Sequence, residues 1–157
     1  MTNTLKQLMP DVLEHEGVWR GTYRHINPQG ETLDFHHSQV ECVFPASGPV
    51  VYIQRNQFTW DDGRVFNVAF DGMIKNDKIY WDTETFKGYG WVASPNIFLL
   101  ELERKDEPGA WFYESIVMGA DKKHRARTWH WFKDGVCFKR TLCDEHLVIS
   151  SPEGNHK

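Results

Sequence analysis

Long apolar runs are missing: no stretch approaches the roughly 18–20 consecutive apolar residues that a membrane-spanning helix needs. Residues 1–16 carry Asp11, Glu14 and Glu16 and lack the apolar core of a secretory signal, so the expectation is a cytoplasmic protein with no membrane span. Excess positive charge is missing too. The 18 Lys and Arg against 22 Asp and Glu leave a formal net charge of −4, which argues against nucleic acid as a partner. Cysteine is scarce: Cys42, Cys137 and Cys143 are odd in number and show no CxxC spacing, which suits reduced packing residues better than a disulfide framework. There is no GxSxG elbow, no phosphate-binding glycine loop and no dinucleotide fingerprint, which disfavours hydride and phosphoryl chemistry. Internal repeats and low-complexity tracts are absent as well.

Aromatic side chains are what the sequence has in abundance. In 157 residues, 7 Trp, 10 Phe and 5 Tyr make up 14% of the chain, so many rings must face inward together. The length suits one domain that buries roughly two thirds of its unfolded surface. Leu5, Leu8, Met9, Val12 and Leu13 follow the spacing of one helical face, which Pro10 must kink or restart. Residues 1–16 therefore read as a helical plug, 17–148 as the domain proper, and 149–157 as a disordered tail.

From Gly17 onward the pattern has period two. Turn residues such as Asn27-Pro28, Asp61-Asp62-Gly63, Asp71-Gly72, Asn76-Asp77 and Asp134-Gly135 cut it into strands near 17–26, 32–44, 50–60, 64–70, 78–86, 97–104, 110–118, 124–132 and 136–148. Short connections favour hairpins, hence an antiparallel meander. With no helix long enough to cover the sheet, it must close on itself or split into two layers. The expected fold is all-β: a closed antiparallel barrel of about 8–10 strands.

Gly17-Val18-Trp19-Arg20-Gly21, directly after the helical segment, resembles the GxW signature that opens the barrel in the calycin superfamily, which includes lipocalins and fatty-acid-binding proteins. That resemblance implies a Trp19 at the closed end with a basic residue of the last strand, Arg140, across its indole. Tyr52-Ile53-Gln54-Arg55-Asn56 with Asp62-Gly63-Arg64, then Tyr80-Trp81-Asp82-Thr83-Glu84, then Arg127-Thr128-Trp129-His130-Trp131 are similar to an uncharacterised lipocalin-like domain family. Its fold is implied by that likeness; an activity is not.

Alternation sorts the faces. If Trp19 points inward, so do Tyr23 and His25, while Val40 and Cys42 take His36 inward with them. Tyr52, Gln54, Asn56, Phe58 and Trp60 share one face of the third strand. Phe112 shares a face with Glu114 and Ile116, and Arg127 shares one with Trp129 and Trp131. An interior mixing rings with amides and a carboxylate suits a ligand cavity, whereas a sandwich core about 10 Å thick would fill with aliphatic side chains. The candidate ligand-binding residues are thus Tyr23, His25, Gln54, Asn56, Phe58, Trp60, Phe112, Arg127, Trp129 and Trp131.

Two functions fit. One is a binding protein for a small, largely apolar molecule, flat or polyunsaturated, since such sites are mainly apolar with a few placed polar groups. The other is a cofactor-free isomerase, cyclase or lyase that shifts a proton with Glu114, His36 or Tyr52. Glu114 is the leading acid–base candidate, and its plainer reading is a Glu114–Arg127 pair that pins two strands. No HxH or HxxxH spacing points to a metal. His36-His37 are neighbours on a strand and face opposite ways, so no cofactor is expected, with haem through His36 as the minor alternative. A homodimer is left open.

Overall fold

The computed structural model describes residues 5–150. Ten strands follow one another: β1 (Gly17–Ile26), β2 (Thr32–Val43), β3 (Val50–Thr59), β4 (Val65–Lys75), β5 (Lys78–Asp82), β6 (Phe86–Ser94), β7 (Ile97–Arg104), β8 (Ala110–Met118), β9 (His124–Lys133) and β10 (Val136–Ile149). Each pairs antiparallel with its neighbour, and β10 returns to β1, so the sheet is a closed barrel. Closure removes both sheet edges. The tight turns are built where the sequence supplies left-handed residues: Asn76 and Asp77, at φ of 55° and 60°, join β4 to β5 with the twist a two-residue hairpin needs. No helix among the described residues is long and apolar enough to cross a membrane.

The tenth strand is the one that alternation missed. Asp71-Gly72 lies inside β4 instead of ending it, and β6 occupies the glycine-rich stretch that had been assigned no strand. Both differences trace to Trp81. A Cβ on Gly72 would stand 2.7 Å from the Ile79 side chain and 3.0 Å from the Trp81 indole, and one on Gly90 would stand 2.8 Å from Phe98 and 2.9 Å from Trp81. These glycines make room for a buried ring rather than for a turn.

At the other end of the chain, α1 (Leu5–Leu8) gives way to a 3₁₀ turn over Pro10–His15, so Pro10 restarts the helical path. Leu5, Met9 and Val12 are buried against the barrel core, with Leu8 and Leu13 partly so. Lys122, in the β8–β9 loop, reaches Glu14 at 3.2 Å and Asn96 at 2.6 Å, which places the segment over the barrel end formed by the β6–β7 and β8–β9 loops. β10 runs through Ile149, so the first residue of the expected tail, 149–157, belongs to the strand; residues 151–157 lie outside the described residues, as do residues 1–4.

Trp19 is fully buried at this closed end, and its indole N–H donates to the His15 carbonyl at 2.9 Å. Its cation is not Arg140. The Arg125 guanidinium of β9 sits 4.4 Å from the ring centroid. Register explains the correction: Trp19 pairs with Leu147, whereas Arg140 lies opposite Ile26 near the far end of the barrel. Thr141, Cys143 and Glu145 are the inward residues of β10, so Arg140 has the wrong parity as well.

Candidate ligand-binding site

The inward faces do not fill the barrel. They enclose a hollow of about 390 Å³, open at the end where the β1–β2, β3–β4, β5–β6 and β7–β8 loops meet. Its wall is mostly rings: Phe58 from β3, Phe70 from β4, Phe86 from β6, Phe98 from β7, Phe112 from β8 and Trp129 from β9. Tyr23, His25, His36, Tyr52, Gln54, Asn56, Glu114, Arg127 and Trp131 line it too. Of the residues expected from the sequence, Trp60 alone is not on the wall. It stands at the rim, where its indole N–H is shared between the two Asp34 oxygens at 3.0 and 3.2 Å and Arg64 lies over the ring at 4.7 Å. The cause is a strand that ends at Thr59, so alternation no longer governs the residue after it.

Sequence reasoning also missed wall residues. Phe66, Val68 and Phe70 alternate along β4, and Phe98, Leu100 and Leu102 along β7, a legible signal that the strands' polar neighbours obscured.

A polar ladder runs along the inner face of β3. The Tyr52 hydroxyl donates to Gln54 Oε1 at 2.9 Å, Gln54 Nε2 donates to Asn56 Oδ1 at 3.0 Å, and Cys42 Sγ lies 3.2 Å from the Tyr52 oxygen. Hydrogen bonding along the ladder offsets the cost of burying these groups. Burial pushes the Tyr52 hydroxyl well above its ordinary range, so it stays protonated.

Across the hollow lies an ion cluster with two cations and two anions. Arg127 Nε donates to Glu114 Oε2 at 2.8 Å, while its Nη1 donates to the Tyr23 oxygen at 3.0 Å and to Glu145 Oε2 at 3.4 Å. Arg125 Nε donates to Glu145 Oε1 at 2.7 Å and its Nη1 to His15 Nδ1 at 3.0 Å. His15 accepts that bond as a neutral ring, because burial and the Arg125 charge hold its pKa well below normal. All four charged side chains are buried. Glu145 escaped the sequence reading because no inward face was assigned to the last strand, in which the calycin resemblance pointed to Arg140 alone.

The two carboxylates differ. Burial pushes Glu114 up, and Arg127 only partly reverses this. Glu145 is also pushed up by burial, but Arg125 and Arg127 together outweigh that and hold it low. Environments that separate two carboxylates in this way assign them different roles. Only Glu114 lines the hollow. Glu145, depressed in the folded state, contributes stability that is present above the ordinary carboxylate range, about 4.3, and is lost as pH falls through its lowered value. Glu145→Gln is therefore expected to flatten the acid side of the unfolding-temperature profile, as measured by thermal melts from pH 7 to pH 2.5.

His25 and His36 stand together near the mouth, their Nε2 atoms 3.1 Å apart. Burial lowers both, His25 to about 4, so both rings are neutral at pH 7. Haem held by His36 does not fit these residues: His25 occupies the space in front of Nε2, and Tyr23, Phe58 and Trp60 pack 4.7–4.9 Å from the ring centroid. His37 faces out, 3.1 Å from Asp61.

These features define a class, the closed ten-stranded antiparallel β-barrel with an open, ring-lined interior. No protein-family profile matches the chain and no curated protein matches it in sequence. Among solved structures it is similar to a protein of unknown function from the DUF3598 family of Nostoc punctiforme, with a TM-score of 0.65 and 16% identity over 86% of this chain and 48% of that one. This chain thus spans about half the length of that relative. It is also similar to the S-type phycobiliprotein lyase CPES from Guillardia theta, with a TM-score of 0.69 and 13% identity over 88% of this chain and 92% of that one. At such identities the likeness is one of fold.

Proposed function

We propose that the protein binds one small, largely apolar molecule, flat or polyunsaturated, in the barrel interior. The observation that carries this reading is the hollow itself, about 390 Å³ walled mainly by rings. That size falls in the lower part of the about 300–1,000 Å³ range of ligand pockets. Flat rings on the wall favour a flat partner, which gains offset or edge contacts beyond its buried area. The amides of Gln54 and Asn56 and the Glu114 carboxylate are among the polar groups available to orient it. Membership of the calycin superfamily and a cytoplasmic location belong to the same reading.

The test is native mass spectrometry of freshly purified protein, followed by titration with an anilinonaphthalene dye. One bound small molecule, or one dye per chain with quenching of tryptophan fluorescence, is expected. Leu100 is buried on the wall, so Leu100→Trp puts a second ring system into the space a ligand needs. This variant should stay folded and weaken dye binding at least tenfold, about 1.4 kcal/mol. Equal binding by wild type and Leu100→Trp would place the dye on the surface and count against the proposal.

A second reading has its own observation: Glu114 is a buried carboxylate that lines the hollow and whose proton is held above the ordinary range. Such a group can give and take a proton on a bound ligand, as a cofactor-free isomerase, cyclase or lyase requires. The remote rings would hold the reactive conformer. Under this reading His36 and Tyr52 are supporting candidates, although Tyr52 already donates its proton to Gln54.

A further inference from the structure

We propose that His25, Asp34 and His36 bind one divalent transition-metal ion at the barrel mouth. The inference is independent of what fills the deeper hollow. In the β1–β2 register Asp34 lies directly opposite His25, and His36 follows two residues along the same face. One ligand atom from each lies within 4.8 Å of the other two. The set is formed across strands, which is why a search for ligand spacing along the sequence does not find it.

The distance between the imidazoles is the distance a metal sets. Two nitrogens each about 2.0–2.1 Å from a zinc-sized ion, with 3.1 Å between them, subtend an angle of about 100° at the metal, between octahedral and tetrahedral values. Asp34 completes the set by a side-chain movement of no more than about 2 Å, since its oxygen lies within 4.8 Å of both imidazoles and ligand atoms on one such ion stand about 3 Å apart. Each ligand already has the outer partner that metal ligands use to fix their orientation. His25 Nδ1 lies 2.7 Å from the Thr141 hydroxyl, His36 Nδ1 lies 3.4 Å from the His37 carbonyl, and Trp60 donates to both Asp34 oxygens.

In the metal-free state the 3.1 Å contact is a hydrogen bond; His36 Nδ1 donates to the His37 carbonyl, so the proton between the rings belongs to His25 Nε2 and His25 Nδ1 accepts from the Thr141 hydroxyl. On binding, His25 moves that proton to Nδ1, where it is donated to the Thr141 oxygen. The Thr141 oxygen then accepts from His25 and, at 2.8 Å, from the Trp131 indole, while its own proton rotates away. Both Nε2 lone pairs then face the ion with no net proton released. Two imidazoles and one carboxylate suit Zn²⁺, Cu²⁺, Ni²⁺ or Fe²⁺, whereas Ca²⁺ and Mg²⁺ prefer oxygen. His25 and His36 also line the hollow, so the remaining coordination positions open towards it and can take water or the polar end of a ligand.

The experiment titrates chelator-treated full-length protein with Zn²⁺ by calorimetry. One equivalent should bind, and His25→Ala and His36→Ala should each weaken binding at least tenfold, with Asp34→Asn weakening it less. His37→Ala, which removes the exposed His37–Asp61 pair close by, should change nothing. A measurement on the wild-type chain guards against misfolded variants: one equivalent of Zn²⁺ should shift the imidazole resonances of His25 and His36 together. The proposal is overturned if Zn²⁺ shows no saturable single-site binding, if the His25→Ala, His36→Ala double variant binds equally well, or if the resonances that move belong to other histidines.

Discussion

Glu145→Ala is expected to destabilise the protein by about 3–5 kcal/mol, because it leaves buried guanidinium groups with too little negative charge. Glu145 is wholly buried as a side chain and serves both arginines, Arg125 at 2.7 Å and Arg127 at 3.4 Å. Without it, Arg125 keeps the neutral His15 ring, the weak Cys42 thiol contact and the Trp19 indole face, none of which carries a negative charge. For a domain of this size each 1 kcal/mol lowers the melting temperature by about 2–4 °C, so a fall of about 6–20 °C should appear in a thermal melt. Arg55→Ala provides the scale. Its ion pair with Glu41 has the same 2.7 Å distance, but the Arg55 side chain is half exposed, and the change should cost no more than about 1 kcal/mol. A loss below about 1 kcal/mol for Glu145→Ala would show that the cluster is not the tightly packed element described above. Replacing both partners, Arg125→Met with Glu145→Leu, should recover much of the loss, since a buried pair often stabilises little more than apolar residues of similar volume. Full recovery would imply that the charges serve function more than folding.

Glu114→Gln separates the two proposed functions. The substitution keeps the side chain's shape and an oxygen that can accept the Arg127 hydrogen bond, now 2.8 Å long, but removes the titrating proton. A binding protein should retain dye or ligand affinity within a few fold. An enzyme that uses this carboxylate should lose roughly a hundredfold or more in turnover of its substrate, with the loss in kcat rather than in KM. The pH–rate profile would report the same group: the limb governed by Glu114 should vanish in the variant. Unchanged turnover in Glu114→Gln would remove Glu114 from the mechanism and leave the Glu114–Arg127 pair as a clasp between β8 and β9, whose register sets Ile116 opposite Arg127 and Glu114 opposite Trp129.

Much of the wall was legible because side chains alternate along a strand whatever its neighbours are. Tyr23 with His25, Tyr52 through Phe58, Phe112 with Glu114, and Arg127 through Trp131 were each placed by parity within one strand, and each lies on the hollow. Parity misled where a strand's limit was misjudged, as with Trp60 beyond the end of β3, while Arg140, taken from the calycin resemblance by chain order, failed on register, which sets it opposite Ile26. It also failed where glycine served packing: Gly72 looks like a turn in one dimension and Gly90 breaks the alternation of its stretch, and both are spaces for Trp81 in three.

Local pattern alone determined that this chain forms an antiparallel β-barrel with rings turned inward, since a period of two and short turns act between residues near in sequence. Which inward groups meet was decided by closure and register, which join residues far apart in the chain. Trp19 meets Arg125 because β10 returns to β1, Arg127 meets Glu145 through the β9–β10 register, and His25 meets Asp34 and His36 because β2 pairs with β1 in one particular alignment. A shift of one residue in that alignment would turn every one of these side chains to the other face.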